Sequence, residues 1–280
     1  MLFTDHRPGI FQPPLNQNHA QNRYCYMEFF VRKDSIVREI WGKSDTILFI
    51  FAGASAEFAL NKAVDWLYFT GRLPADPLGR LFSTVGYARQ IVFSRTEDAL
   101  RAIDRMSAIH NGVEAARGSK IPDWAYRDVL FMLIDYSIRS YEVLERKLTE
   151  AEKEEVFDVF NRVGLRMNLV GLPTSYHEWL VMREQHLAND LVKSEYTADL
   201  FKQYRKHLGL VRYRLLLGAQ ALVTPPIVNK LLELGQQPIL PPLLAAYKLS
   251  RKIRTEWILK ELILPPAYKA EIRGLDVYVA

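Results

Sequence analysis

The chain has 280 residues, a net charge of +5 and a pI near 9.1, with 49% hydrophobic and 25% charged residues. These values are typical of a globular protein with one hydrophobic core, and they exclude a disordered chain. The 37 basic residues are interspersed with 32 acidic ones, so no nucleic-acid partner is predicted. The single cysteine, Cys25, excludes an internal disulfide and a cysteine-rich metal centre, and it favours a reducing, cytoplasmic location.

Residues 1–25 are predicted to form an irregular arm, because charged residues and prolines stand where a secretory signal would have its apolar segment. The longest apolar runs, at 46–56 and 215–229, fall short of the roughly 20 residues that a membrane-spanning helix needs. We therefore expect a soluble protein, with peripheral attachment to a membrane as the alternative.

From residue 26 onward, apolar residues recur with a spacing close to that of an α-helix, and no run alternates with a period of two. The sequence therefore predicts an all-α fold. The predicted helices cover roughly residues 26–41, 46–68, 77–93, 96–116, 123–147, 150–168, 175–192, 197–207, 210–222, 226–235 and 240–262. We expect one large helical domain over 26–235 and, beyond the prolines near 236–241, a C-terminal helical extension over 236–280.

Several helix starts carry recognisable capping residues. Asp34 or Ser35 would cap the first helix, and Pro77 suits a first-turn position. The segments 149–152 ("TEAE") and 175–178 ("SYHE") have the spacing of capping boxes, in which a hydroxyl and a carboxylate satisfy opposite backbone groups. These signals concern stability rather than function.

The segment "RMSAIHNGVEAARG" (105–118) contains a histidine that could bind a ligand. At helical spacing, His110 shares an inward face with Met106 and Val113. A neutral histidine on such a face can be an axial ligand of a haem iron. It can equally be a core residue whose nitrogens are hydrogen-bonded by neighbours, and from the residues alone that is the simpler interpretation.

A polar stripe precedes it in "DPLGRLFSTVGYARQIVF" (76–93). Arg80, Thr84 and Tyr87 are separated by four and three residues, so they share one side of a helix. An arginine, a hydroxyl and a phenol so arranged could hold a haem propionate or polarise a bound oxygen species. The alternative is an exposed arginine with ordinary helical neighbours.

A third candidate is Asp135, which lies between "LFMLI" and "YSI" and is therefore expected to be buried. A buried carboxylate needs a partner such as an arginine or a histidine. Asp135 could orient a ligand, and a structural ion pair is the more economical interpretation. The other histidines have no metal-site spacing, so no mononuclear zinc site is predicted. They are His6, His19, His177, His186 and His207.

Two basic clusters occur in the C-terminal third, at 203–214 and 248–254. Each is typical of a solvated helix face. Together with Trp257, the second cluster could instead contact a membrane surface peripherally through residues 248–262, or bind a partner helix. There is no glycine-rich phosphate loop and no GxSxG segment, which excludes nucleotide hydrolysis and common acyl-transfer classes.

The order of these motifs resembles that of the MpaB and latex-clearing-protein (rubber oxygenase) family of haem b proteins, over about residues 40–225. Its strongest parts are "PLGRLFST", the helix that carries "IH", and "LIDYSIRSYE". The resemblance implies that His110 is the axial ligand of a b-type haem iron and that Arg80 and Thr84 lie on its distal side. Tyr87 and Asp135 complete the predicted cofactor site. The implied reaction is oxidative cleavage of a carbon–carbon double bond with dioxygen.

The sequence also departs from the family pattern. Rubber-cleaving members have a lysine before the threonine, where this chain has Ser83, so a lysine-capped iron is not expected. Residues 60–62 ("LNK") replace an A-H-P segment, and the catalytic glutamate that follows in the family has no counterpart; Asp65 or Asp76 would have to serve, and Asp65 is the candidate base.

The sequence therefore predicts a haem b-dependent oxygenase that acts on a hydrophobic small-molecule or lipid substrate, including isoprenoids. One alternative is a haem-free helical protein that binds a partner or a membrane surface. The other is a haem protein without oxygenase activity. The oligomeric state is not predicted.

Overall fold

The fold is built from α-helices, as predicted from the apolar spacing. The computed structural model describes residues 28–69, 71, 75–235, 240–252 and 274–276. Within these ranges, β-structure is limited to two isolated bridges, Phe29 to Arg95 and Asn61 to Leu191. The helices are α1 (Ile36–Trp41), α2 (Ser44–Phe58), α3 (Asp65–Phe69), α4 (Pro77–Phe93), α5 (Thr96–Arg117), α6 (Asp123–Leu144), α7 (Glu150–Arg166), α8 (Tyr176–Asn189), α9 (Glu195–Val223), α10 (Pro226–Leu232) and α11 (Leu240–Lys252), followed by a 3₁₀ turn at Gly274–Asp276.

The core lies where α2 packs against α6 and α9, with α7 on the other side of α6 and α4 beside α5. Trp41 is fully buried in it, and its indole nitrogen donates a 3.1 Å hydrogen bond to the Ser137 hydroxyl. Gly53 lets α2 approach α6 closely, because a Cβ at this position would overlap the ring of Tyr136. The central helices are therefore in direct contact at the level of the polar residues described below.

Two predicted helices differ clearly from the observed ones. The first begins at Ile36 instead of residue 26. The predicted helix 46–68 is broken, because α2 ends at Phe58 and α3 begins at Asp65. In the break, Asn61 accepts a 2.8 Å hydrogen bond from the Ala63 backbone, a local bond that competes with helix continuation. The predicted boundary between helices 197–207 and 210–222 coincides with a kink at Gly209 inside α9, where the backbone leaves the helical conformation.

The predicted caps can be compared bond by bond. The Ser35 hydroxyl accepts a hydrogen bond from the Val37 backbone, and Thr149 forms both halves of a capping box, so these two predictions are confirmed. The predicted box at Ser175 is half right. Ser175 caps Glu178, but the Glu178 carboxylate accepts from the Thr174 backbone and hydroxyl instead of closing the box.

The C-terminal segments that are described contact the rest of the helical core. The Tyr247 hydroxyl of α11 donates a 3.1 Å hydrogen bond to Asp45 at the start of α2. Leu275 is buried in the main hydrophobic cluster. The predicted arm 1–25 and residues 253–262 of the predicted membrane contact lie outside the described residues. In the part of the chain that is described, no helix combines the length and apolar character needed to cross a membrane.

Candidate functional site

The first two turns of helix α5 are buried against the core on one face, and the rest of the helix is partly exposed to solvent. Its buried residues are Thr96, Ala99, Ala102 and Ile103. From residue 104 to the end of the helix every side chain is half-buried or exposed. Met106, His110 and Val113 are all half-buried, so they form the continuation of the buried face, as the helical spacing predicts. We call the partly covered face formed by these three residues the α5 seam.

His110 lies in the middle of the α5 seam. The edge of its imidazole meets the ring of Tyr126 on α6, with ring centres 5.3 Å apart and an angle of 87°. The Tyr126 hydroxyl donates a 3.1 Å hydrogen bond to Glu114, which also accepts from the Ile121 backbone. Burial and the Glu114 carboxylate raise the pKa of Tyr126, so its phenol stays protonated. This arrangement holds one wall of the seam beside His110.

The predicted polar stripe is on α4, the helix that packs along α5. Thr84 and Tyr87 are half-buried, and next to them Val85 is buried against the core. Arg80 lies in the first turn of α4, and its side chain is outside the described part of the structure. Thr84 and Tyr87 therefore lie on the helix that packs beside the one carrying His110.

The two aspartates considered as a base have different surroundings. Asp65 forms a 2.6 Å ion pair with Arg117 near the end of α5, and the Arg117 guanidinium lies 4.0 Å from the centre of the Trp66 ring. Asp76 caps α4 by accepting a hydrogen bond from the Gly79 backbone. Asp65 is thereby connected to the helix that carries His110, whereas Asp76 is engaged in a helix cap.

A second polar site is fully buried between α2, α6 and α8. Its centre is Arg183, whose Nη2 donates to Glu57 at 2.6 Å and to Asp135 at 2.9 Å. Arg139 donates to the other oxygen of Asp135 at 2.7 Å. The Tyr136 hydroxyl donates a 2.8 Å hydrogen bond to Glu57. The predicted burial of Asp135 and its need for an arginine are therefore confirmed, and the contact is a structural ion pair.

His186 extends this site along α8. Its Nδ1 lies 2.7 Å from an oxygen of Asp128 and 3.3 Å from one of Asp190, and its Nε2 lies 3.2 Å from Glu57. We refer to Glu57, Asp128, Asp135, Arg183 and His186 as the buried charge cluster. It joins three helices through side chains that are nearly inaccessible to water.

Opposite charges decide the protonation states in the buried charge cluster. Burial raises the pKa of Glu57, but Arg183 and His186 outweigh this and lower it to about 2. Burial lowers the pKa of His186, but Asp128 and Glu57 outweigh this and raise it to about 9. Burial also raises the pKa of Asp128, although His186 partly opposes the change. At neutral pH, Glu57 is a carboxylate and His186 an imidazolium.

Part of the cluster has the donor types of a metal site. One ligand atom each from Asp128, His186 and Asp190 lies within 4.8 Å of the others. A metal ion would need the neutral imidazole, whereas the raised pKa of His186 favours the imidazolium. A metal ion and a proton would therefore compete for the same nitrogen of His186 at neutral pH.

Sequence reasoning missed most of this cluster. It named Asp135 but not Glu57, Asp128 or Arg183, and it set His186 aside because no second histidine stood at metal-ligand spacing. The available signal was Glu57 itself, a carboxylate directly after the apolar run 46–56. A buried carboxylate requires a cationic partner, but nothing local identifies a partner 126 residues away.

The helical core, the seam on α5 and the neighbouring helix α4 define an all-α protein with a half-buried histidine on a partly covered helix face. A family model described as "ER-bound oxygenase mpaB/B'/Rubber oxygenase, catalytic domain" matches residues 41–262, and the chain belongs to this family. The match confirms the family that the order of motifs predicted. Neither a search of curated proteins nor a search of solved structures returned a match.

Proposed function

We propose that the chain is a haem b-dependent oxygenase in which His110 binds the iron. Membership of a family of oxygenase catalytic domains carries the proposal. The α5 seam supports it, since Met106, His110 and Val113 are covered incompletely by the protein itself. A flat apolar group lying there would complete the burial of this face.

The donor chemistry of the described histidines favours His110 for this role. His177 and His207 are exposed, and His186 is surrounded by carboxylates on both ring nitrogens. An iron ligand must be a neutral imidazole on an apolar face. His110 combines partial burial with apolar neighbours, so the residues present fit a haem.

Each residue around the seam has a distinct part in the proposal. The edge-on contact with Tyr126 would limit rotation of the His110 ring and keep one nitrogen directed away from α5. Arg80 would pair with a haem propionate, and Thr84 and Tyr87 would offer hydroxyl groups on the distal side. When bound, the haem would supply the redox chemistry with dioxygen. Asp135 would act at a distance, by fixing α8 against α6.

The proposed substrate is hydrophobic, such as an isoprenoid or another lipid, and the proposed reaction is oxidative cleavage of a carbon–carbon double bond. Apolar side chains at the seam support this, since Met106 and Val113 flank His110 and Ile109 beside them is 42% exposed. The family description names a rubber oxygenase, and rubber is an isoprenoid polymer. A substrate of this kind would be held by apolar contact rather than by charge.

Asp65 is the proposed proton acceptor, and Arg117 is its positioning residue. Their 2.6 Å ion pair ties the α3 carboxylate to the end of α5. To accept a proton, Asp65 would have to loosen this pair. We therefore expect Asp65→Asn to slow turnover while leaving the absorption spectrum of bound haem unchanged.

The first experiment measures haem binding without relying on activity. Purified protein is titrated with haemin and followed by absorption, and a Soret band that saturates at one haem per chain is the expected result. His110→Ala should abolish the shift typical of axial ligation, whereas His177→Ala, a change at an exposed histidine, should not alter it. A wild-type protein that ignores haemin would overturn the proposal and favour a haem-free interaction protein.

The second experiment separates an oxygenase from a haem protein without that activity. Haem-loaded protein is incubated with detergent-dispersed squalene, a low-molecular-weight representative of the isoprenoids, under ¹⁸O₂. The expected products are shorter carbonyl compounds that contain ¹⁸O. Haem binding with no labelled product from isoprenoid or other unsaturated lipid probes would contradict the oxygenase assignment.

A further inference from the structure

Helix α9 is kinked at a glycine, and the surface at the kink has no part in the proposed oxygenase site. Gly209 has φ 71° and ψ 172°, a backbone conformation in the left-handed half of the map that favours glycine. The helix direction changes there, and residues 205–207 and 209–211 on either side of it are all exposed. The kink therefore presents a short run of consecutive side chains to solvent.

Two of these side chains are apolar and strongly exposed. Leu210 is 59% exposed, and Val211, at 75%, is the most exposed large apolar side chain in the described part of the chain. Single exposed apolar residues are common on proteins, but two adjacent ones at a bend in a helix present a compact apolar tip. Transfer of such a tip from water into an apolar phase lowers the free energy of the system.

The charges around this tip all have one sign. The sequence from 200 to 232 contains no aspartate or glutamate and six basic residues. Arg205, Lys206 and Arg214 are exposed within one or two turns of the kink. The flanking carboxylates have their own partners: Asp199 accepts a hydrogen bond from Tyr68, and Glu233 pairs with Lys193. The exposed charges of α9 at the kink itself are therefore positive.

An apolar cleft continues inward from the same part of α9. It has a volume of about 330 Å³ and lies between α9 and α10. Phe201, Leu217 and Leu232 contribute apolar walls, while Tyr213 and Arg214 stand within one turn of Val211. Leu210 precedes Tyr213, Arg214 and Leu217 by three, four and seven residues, so the tip and the cleft lie on the same side of α9. Lys193 and Glu233 also line the cleft.

We propose that this surface docks the protein onto a lipid bilayer that contains anionic lipids. The kink surface consists of Arg205, Lys206, His207, Leu210, Val211 and Arg214. Its apolar tip would enter the interfacial region of the bilayer, and its cations would lie at the level of the lipid phosphates. This interaction is independent of haem and goes beyond the proposed oxygenase function.

The observations favour a bilayer over other occupants. A second copy of the chain would bring the same cations face to face, which disfavours symmetric pairing. A nucleic acid would satisfy the cations but would leave Leu210 and Val211 exposed. A bilayer with anionic headgroups satisfies both the charges and the apolar tip.

The test measures co-sedimentation of the full chain with vesicles of phosphatidylcholine alone and of phosphatidylcholine with 30% phosphatidylserine. We expect binding to the anionic vesicles that weakens as salt rises, and weak binding to the neutral ones. Each cation near an anionic surface contributes roughly a fivefold increase in partitioning. Arg205→Gln with Lys206→Gln should therefore reduce binding about 25-fold.

Matched control variants distinguish binding through this surface from the effect of net charge and from non-specific apolar adsorption. Arg32→Gln with Arg101→Gln removes two exposed cations elsewhere, and it should change binding less than twofold. Val211→Asp should weaken binding strongly, whereas Val170→Asp, at a side chain that is 61% exposed, should not.

Several results would overturn the proposal. They are absence of binding to anionic vesicles at low salt, equal binding to neutral vesicles, and equal loss in the control variants. Binding of a polyuridine oligonucleotide that is lost in Arg205→Gln with Lys206→Gln, without vesicle binding, would show a nucleic-acid surface instead. His110→Ala should bind vesicles as the wild type does, so failure of the haem proposal is distinguishable from failure of this one.

Discussion

Replacing Arg183 by methionine should destabilise the fold strongly, because it removes the cation at the centre of the buried charge cluster. Arg183 is 3% exposed and donates hydrogen bonds to both Glu57 and Asp135. Removing one partner of a buried ion pair costs about 3–5 kcal/mol, since the other charge stays buried without compensation. Asp135 keeps Arg139 as a partner, so the cost falls mainly on Glu57.

The lowered pKa of Glu57, which reflects Arg183 and His186 together, leads to a free energy of similar size. Its native pKa of about 2 lies below the ordinary value of 4.5. A carboxyl group with a lowered native pKa contributes stability above its unfolded pKa, here about 3 kcal/mol at pH 7. That contribution is lost as the pH falls from 4.5 towards 2. The deficit of Arg183→Met should therefore be large at pH 7 and smaller at pH 3.

Urea unfolding followed by circular dichroism measures this directly. We expect a loss of about 3–5 kcal/mol for Arg183→Met at pH 7, and partial recovery when Glu57→Gln is added, because the pair then leaves no uncompensated charge. Arg146→Met is the matched control, since Arg146 pairs with Glu152 at the surface and should cost less than about 1 kcal/mol. A loss below about 1 kcal/mol for Arg183→Met, or strict additivity with Glu57→Gln, would refute the reasoning.

Three further changes test other parts of the structure. His186 has a native pKa of about 9 against an ordinary 6.5, so its stabilisation is complete below pH 6.5 and is lost as the pH rises through 9. Urea unfolding at pH 6 and pH 9.5 should show a fall of about 3 kcal/mol in the wild type and a much smaller one in His186→Gln; equal falls would contradict this. Gly53→Ala should lower the unfolding free energy by about 1–3 kcal/mol, because the added methyl group overlaps the Tyr136 ring, and an unchanged melting temperature would speak against that contact. Thr149→Ala should cost about 1 kcal/mol in chemical unfolding by removing the capping box with Glu152, whereas no loss would mean that this helix end is held by other groups.

The parts of the fold that could be predicted from sequence are those governed by nearby residues. The cap at Thr149 involves a partner three residues away, so its spacing is visible in the chain. The break after Phe58 was missed because apolar residues continue through it at helical spacing. What ends the helix is the side chain of Asn61, which bonds the Ala63 backbone, and Leu60, whose carbonyl accepts a hydrogen bond from Val192. That second contact requires the tertiary structure.

The two histidines of the helical core show how far such reasoning extends to function. Periodicity directs His110 inward, and the structure shows it half-buried on the α5 seam. His186, the more deeply buried of the two, was given no role because no second histidine stands at metal-ligand spacing from it. Its burial is tolerated because Asp128 and Glu57, from two other helices, stabilise its charged form. A fully compensated imidazolium is suited to joining helices, whereas a half-covered imidazole is suited to receiving a ligand. The degree of burial, which only the packed structure provides, is therefore the observation on which we propose different roles for the two histidines.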